Sequence, residues 1–345
     1  MIIALQILAV VFGLGLLIFI HELGHFAAAR FFKVKVLTFA FGFGPDIIKY
    51  KYKGTKYAVK AIPLGGFVSM AGDNPDEATG AAGEYLSLAW YKKIIISFTG
   101  PFSNYLLAAV LFVFIFNVWG MIRPVNIPKI AELAESYPAQ KAGLLPGDVI
   151  KSIDGASIKT WNELSENIKK RADKKTSFVV LRGTSTFRTT LTVNSNGLIG
   201  ISPEYVAVKI GFKKSLKQGL KAPVAYTLNT VSYLYGAAKN KVKPELSGPI
   251  GVMKVMASAA KSGLQDYLFL LAVISVALGL FNLFPIPFVD GGMIVLFFAE
   301  GIIRKKINTK IIAIYNTIGL IIIAGIFIFA TYSDLVRLGV DKLFK

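Results

Sequence analysis

The chain has 345 residues, 54% of them hydrophobic and 17% charged, a balance too apolar for an ordinary soluble domain and expected of a membrane protein. It has no cysteine and only two histidines, which excludes disulfides, thiolate metal centres, cysteine nucleophiles and any three-histidine metal site. The net charge of +19 could suggest nucleic acid, but its distribution along the chain fits a bilayer, so no nucleic-acid partner is expected.

Met1 to Ile20 carries no charge, and twenty helical residues cover about 30 Å of hydrocarbon. No basic residue precedes this run and HELGHFAAAR follows it, so a retained span is expected rather than a cleaved signal peptide. A second uncharged run covers Ile94 to Ile122, with Trp90, Tyr91, Lys92 and Lys93 anchoring one mouth. A third, Tyr267 to Val289, is interrupted by Asn282, Pro285 and Pro287 and ends at Asp290; a fourth covers Ile311 to Tyr332. Met293 to Ile303 is too short to cross and is expected to be packed inside or re-entrant. The connections between the first and second and between the third and fourth spans hold 14 basic residues. Both are therefore expected in the cytoplasm, with the termini and the long segment after the second span outside.

That long segment reads as a small α/β module. Ala142-Gly143-Leu144-Leu145-Pro146-Gly147-Asp148-Val149-Ile150 gives a turn and an apolar strand, and Thr160 to Glu163 a capping box for a helix over Trp161 to Ala172. The string PAQKAGLLPGDVIKSIDG with TWNEL downstream resembles a circularly permuted bacterial PDZ domain. Such domains bind peptide ends by strand addition, and the resemblance makes Gly197 to Ile201, with Gly200, the carboxylate-binding loop. A PDZ-like fold kept only for shape remains open. Beyond it, Val224, Leu228, Val231, Leu234, Tyr235 and Ala238 share one helical face, as in a helix lying on the membrane.

The chemistry concentrates at His21-Glu22-Leu23-Gly24-His25. Spacing of i and i+4 puts both imidazoles on one helix face, able to converge on one metal ion, with Glu22 beside them to take a proton from water. An ionisable group in a span costs at least ~2.5 kcal/mol, so a use is expected. A catalytic zinc normally has three protein ligands. The third must be an oxygen: Asp290 fits best, with Glu300 and Asp46 as weaker candidates. Pro285 and Pro287 unwind the chain ahead of Asp290, and backbone groups freed there are tolerated where they line protein or water.

HELGHF, FGFGPDIIKY with AIPLGGFVSMAG, FTGPFSN, the PDZ string, SGPIGV and NLFPIPFVDGG occur in the order found in bacterial site-2 proteases, which the chain resembles over about residues 1–332. These are intramembrane zinc metalloproteases, including those that cut anti-sigma factors. The resemblance implies one zinc per chain held by His21, His25 and Asp290, Glu22 as general base, and Asn282 near the substrate. It also implies that Val59 to Met70 is part of a membrane-associated β-hairpin or sheet that holds the substrate as a strand, with Val59, Gly65, Gly66, Pro285 and Pro287 as substrate-binding residues. The expected fold is a polytopic α-helical membrane protein with four transmembrane helices, a cytoplasmic membrane-associated β-hairpin or sheet, and one inserted extracytoplasmic PDZ domain. Its parts are a membrane domain at 1–122, the PDZ domain at 123–205, a membrane-surface amphipathic linker at 206–262 and a second membrane domain at 263–345. Some relatives carry two PDZ domains; here sequence for one is present. The expected partners are the lipid bilayer and single-span substrates, either anti-sigma-like proteins or remnant signal peptides. The expected location is the bacterial inner membrane, with the active site toward the cytoplasm. A non-enzymatic adaptor with a structural metal site, and a transporter suggested by the broken third helix, are the competing classes.

Overall fold

The computed structural model describes residues 2–239 and 247–338. Residues 240–246, inside the 206–262 stretch, and the tail from 339 onward, used above in the charge argument, lie outside them. Two compact units emerge: residues 1–115 with 212–345, and residues 116–211.

The first unit opens with α1 (Ile2–Phe31), followed by β1 (Val36–Tyr52) and β2 (Thr55–Met70). The hairpin closes at Lys53 and Gly54, both at positive φ (47° and 83°), as a two-residue I′ turn requires. Thr38–Phe41 pair twice, with Gly66–Ser69 on one side and with Lys56–Val59 on the other. The two long strands therefore make four segments in the order 46–52, 55–60, 36–43 and 62–70. The last of these is an edge. One face packs on α1: Phe39 and Phe41 meet Phe19, and Phe39 and Tyr57 meet Phe26. Val59–Met70, expected as part of a membrane-associated hairpin or sheet, covers the end of the 55–60 segment and the whole of the 62–70 segment. Residues 72–83, which are polar enough to be expected mobile, are tied down: Glu84 accepts from Thr79 N–H and Oγ1 and from Gly80 N–H.

Next comes α2 (Trp90–Val118). The second unit then holds β3 (Met121–Pro124), β4 (Glu132–Leu133), α3 (Pro138–Lys141), β5 (Val149–Ile153), β6 (Ala156–Ser157), α4 (Trp161–Lys169), β7 (Lys175–Arg182), β8 (Ser185–Thr192), β9 (Ile201–Ser202) and β10 (Tyr205–Val208). Its main sheet has the order β6-β5-β7-β8. Alternation along β7 sends Phe178 and Val180 into a core shared with Leu164 of α4. A register shift between Ile150 and Ser152 in β5 lets both Ile150 and Ile153 join them. Thr160 Oγ1 caps α4 by accepting from Glu163 N–H, while the Glu163 carboxylate reaches Lys159 N–H rather than the cap residue. Asp148 is buried and takes two hydrogen bonds from Arg182 (2.8 and 2.9 Å) and one from Leu145 N–H. Burial alone would raise its pKa, but these donors outweigh it and hold the carboxyl below its usual range.

The first unit resumes with α5 (Phe212–Lys239), α6 (Pro249–Ser262), α7 (Leu264–Asn282), α8 (Asp290–Ile303) and α9 (Thr309–Arg337). In α5, Tyr226 stacks on Phe112 at 5.3 Å and Thr227 meets Tyr105 Oη at 2.8 Å, whereas Val224, Leu228, Val231 and Tyr235 stay exposed. The third apolar run is helical only to Asn282. Pro285 and Pro287 lack the N–H a helix needs, and the chain turns before α8 begins. Asp334 of α9 accepts from Gly248 and Gly251 N–H and so caps α6.

Among the described residues four helices are long and apolar enough to cross a membrane: Ala4–Phe31, Trp90–Val118, Leu264–Asn282 and Thr309–Arg337. They are those of a polytopic membrane protein. The 14 residues of α8 reach about 21 Å, short of a bilayer. A buried ion pair ties α8 to α2: Lys93 Nζ lies 2.7 and 2.8 Å from the Glu300 oxygens and 4.4 Å from the Phe297 ring centroid. Removing one partner leaves the other charge buried, so Lys93→Met should cost about 3–5 kcal/mol of unfolding free energy in an SDS titration, and the double variant Lys93→Met/Glu300→Leu much less.

Candidate active site

The helical spacing of the HELGH motif carries into space as expected. His21 and His25 stand one turn apart on α1 with ring centroids 4.8 Å apart. Asp290, the first residue of α8, meets both: Oδ2 lies 3.1 Å from His21 Nε2 and Oδ1 lies 3.3 Å from His25 Nε2. The two Nε2 atoms are 3.2 Å apart. Among the described residues these three form a group that could hold a metal ion, with one ligand atom each within 4.8 Å of the others. Two imidazole nitrogens and a carboxylate oxygen are a donor set suited to zinc with a further position open.

The other carboxylates considered from sequence have partners elsewhere. Glu300 is taken by Lys93, and Asp46 by Lys56 (2.6 Å) and Lys60 (3.0 Å). A lone carboxylate and two lysines neutralise one another more readily than the carboxylate reaches a metal on a different element.

α2 shapes the site through residues four apart on one face. A Cβ at Gly100 would fall on the His25 ring, so only glycine lets both imidazoles sit there. One turn before it, Ile96 C=O accepts from His25 Nδ1 at 2.8 Å. The proton therefore sits on Nδ1, and Nε2 presents its lone pair to the metal position. One turn after Gly100, the fully buried Asn104 places its side-chain nitrogen 3.2 Å from His21 Nδ1, while its Oδ1 is buried without a hydrogen-bond partner. Turned end for end, the amide sets Oδ1 against a protonated Nδ1, which satisfies the oxygen and frees His21 Nε2 as a ligand. The Asn104 backbone carbonyl accepts from Ser275 Oγ at 2.9 Å, locking α2 to α7. Gly100 and Asn104 lie in the FTGPFSN motif, which gave neither a role; their spacing of four and eight residues from Ile96, one helix face, was the available signal.

Glu22 faces the sheet. Its Oε2 accepts from Val68 N–H at 3.0 Å, and a Cβ at Gly66 would come within 3.8 Å of its Cγ. Gly66 and Val68 thus belong to the segment beside the site, and Gly65 (φ +126°) makes the bend that precedes it. Val59 does not: it is paired on both sides, with Phe41 and Ile48, because the strands fold back on themselves. Asn282 closes α7. Pro285 and Pro287 lie in the turn that leads to Asp290; Pro287 packs against Gly292 and Gly319, where side chains would collide with it. Gly200 lies in the second unit.

A donor set of this kind, with two members on a helix able to span a bilayer and the third at the start of a short helix, fits a membrane metallohydrolase. The model of Peptidase family M50 matches residues 9–326, and the chain belongs to that family. It is similar over 96% of its length to a Clostridium acetobutylicum protein named "Putative zinc metalloprotease", at 33% identity with 97% of that relative covered. A protein of the same description from Campylobacter jejuni is 32% identical over 97% of this chain and 94% of its own. The chain is accordingly a membrane zinc metalloprotease, which sets aside the adaptor and transporter classes.

Replacing Asn104 tests the orientation of His21. Asn104→Leu should weaken zinc binding about 10–100-fold in competition with a chromophoric chelator, and Asn104→Asp, which keeps an acceptor, should stay much nearer the parent.

Proposed function

We propose that His21, His25 and Asp290 hold the zinc, that Glu22 is the general base, and that the enzyme cuts peptide bonds inside transmembrane segments of single-span proteins. The observation that carries this reading is the convergence of both Nε2 atoms and the Asp290 carboxylate at one point, with Glu22 one residue from a ligand. His25 lies six residues and His21 ten residues before the end of α1 at Phe31. At 1.5 Å per residue the ligands are about 9–15 Å inside the span, so a scissile bond must enter the bilayer to reach them.

When bound, zinc supplies a Lewis acid that polarises a peptide carbonyl. The remaining work falls to side chains and backbone. Glu22 takes the proton of the attacking water and returns it to the leaving amide nitrogen, its carboxylate aimed by Val68 N–H. A helix hides its peptide bonds within its own hydrogen bonds, so the substrate must first unwind. The outer edge at 66–70 pairs with no further strand among the described residues, though Val68 N–H and Met70 N–H already bond the Glu22 and Asp73 carboxylates. It offers the substrate a strand partner beside Glu22, with Gly66 leaving room for close approach. Asn282, which ends α7, and the turn bearing Pro285 and Pro287 that leads to Asp290 are assigned to the substrate backbone.

Residues 1–122 and 263–345 form the membrane domain in this reading, 206–262 the amphipathic connection and 123–205 a PDZ domain. A groove of about 460 Å³ in the second unit, lined by Leu133, Tyr137, Leu164, Ile168 and the 197–203 loop, suits an extended apolar peptide end. The basic connections place the active site toward the cytoplasm of a bacterial inner membrane, with the PDZ domain and termini outside. Its role is regulated intramembrane proteolysis, on anti-sigma-like proteins or remnant signal peptides.

Glu22→Gln should retain zinc and lose cleavage of a reconstituted membrane-helix substrate by at least about a hundredfold; normal turnover by that variant would overturn the mechanism. At the groove, an apolar peptide with a free C-terminal carboxylate should bind the full chain about tenfold tighter than its amide in fluorescence anisotropy. Equal affinity would leave the module with a steric role.

A further inference from the structure

The outer part of the β-sheet has a polarity gradient that the protease reaction does not use. At one end the sheet meets α1 in mid-helix, where a Cβ at Gly15 would lie 2.8 Å from the Phe41 ring and 2.9 Å from Pro63 C=O. The side chains exposed there are apolar: Phe43, Ile47 and Ile62. The charged groups near that end are paired, since Asp46 binds Lys56 and Lys60, and Lys60 also donates to Gly44 C=O. At the other end Thr55 Oγ1 donates to Val36 C=O at 2.8 Å, which fixes the hairpin tip beside the chain just after α1 ends at Phe31. The tip therefore lies level with the end of a membrane-spanning helix, at the depth of lipid headgroups.

Four lysines gather at that level. Lys35, Lys49 and Lys51 line a groove of about 650 Å³ together with Lys56, and no acidic side chain enters its lining. Lys53 sits at the turn with Nζ 5.2 Å from the Tyr52 ring centroid. Among the described residues Lys35, Lys49, Lys51 and Lys53 form no ion pair. Tyr50 and Tyr52 stack at 6.4 Å and are 65% and 49% exposed, as amphipathic rings are at a membrane interface.

We infer that the hairpin tip is a docking surface for anionic phospholipid headgroups in the leaflet that α1 enters at its C-terminal end. Charge complementarity selects the partner: clustered, unpaired lysines at headgroup depth attract an anionic surface, while the apolar end of the same sheet suits the acyl region. The sheet is one hydrogen-bonded body from tip to edge, so the lipid that seats the tip also steadies the edge whose Val68 N–H holds Glu22. The inference stands on the geometry of the sheet and not on the assignment of the zinc ligands.

The test uses the full chain carrying Tyr52→Trp, reconstituted in phosphatidylcholine vesicles with about 30 mol% of brominated phosphatidylglycerol or of brominated phosphatidylcholine. Quenching of the introduced tryptophan, taken as the difference from the parent chain with its own three tryptophans, should be about twofold stronger with the anionic lipid. Adding Lys35→Gln, Lys49→Gln, Lys51→Gln and Lys53→Gln should abolish that preference while circular dichroism stays unchanged. Phosphate at about 10 mM should have no more effect than chloride of equal ionic strength. Equal quenching by the two lipids, a preference that survives the four substitutions, or selective loss with free phosphate or an acidic peptide would each overturn the inference.

Discussion

The close approach of α1 to α2 is the constraint on which the rest depends. Gly24 and Gly100 make it possible: a Cβ at Gly24 would run into Thr99 C=O, and one at Gly100 into the His25 ring. With no side chains between them, the HELGH face of α1 lies on a face of α2 that offers, turn by turn, a carbonyl, a gap and an amide. Two histidines on one helix share a direction by spacing alone. What would let both act as ligands in the proposed site is which ring nitrogen keeps its proton, and α2 bears on that through Ile96 and Asn104. Bringing α1 and α2 together thus shapes the metal site and packs the bilayer core at once.

Asp290 depends on a second piece of local chemistry. Pro285 and Pro287 end α7 early, and Gly291 and Gly292 let the resulting turn fold back against the first turn of α8. The carboxylate then emerges at a helix N-terminus, where a negative charge is favoured. The far end of α8 is held by Lys93 and Glu300, a pair whose desolvation is costly and whose geometry is correspondingly tight. Both ends of this short helix are pinned by electrostatics in a region where the hydrophobic effect does little to favour one protein contact over contact with lipid.

Much of this was legible before any coordinates. The scarcity of histidine and the absence of cysteine left HELGH as the one plausible metal motif, and the uncharged runs marked the four spans because helix rise and bilayer thickness are fixed lengths. The turn signal before Val149 and the apolar runs at Val149–Ile150 and Phe178–Leu181 marked strands of the second unit, since short apolar runs bounded by turn residues read as buried strands. Val59 shows where such reading stops. Its alternation with Tyr57 and Ala61 is as suitable for an edge as for a centre, and only the second pairing of Thr38–Phe41 places it inside the sheet. Asn104 was read as part of a segment, since an asparagine in a helix does not announce which ring it faces.

The sequence by itself determined the membrane class, the spans, the His-Glu-His motif and the need for an oxygen donor as third ligand, all of which follow from composition and local periodicity. Only the tertiary structure brings Asp290, rather than Glu300 or Asp46, beside the two histidines. Each is a carboxylate near a membrane segment, and the choice rests on where lysines lie in space. It also decided which strand edge meets Glu22 and which backbone and amide groups orient the imidazoles. Those are contacts across about 46 to 83 residues of chain, and no local pattern encodes them, because they depend on how closely separate helices and strands approach.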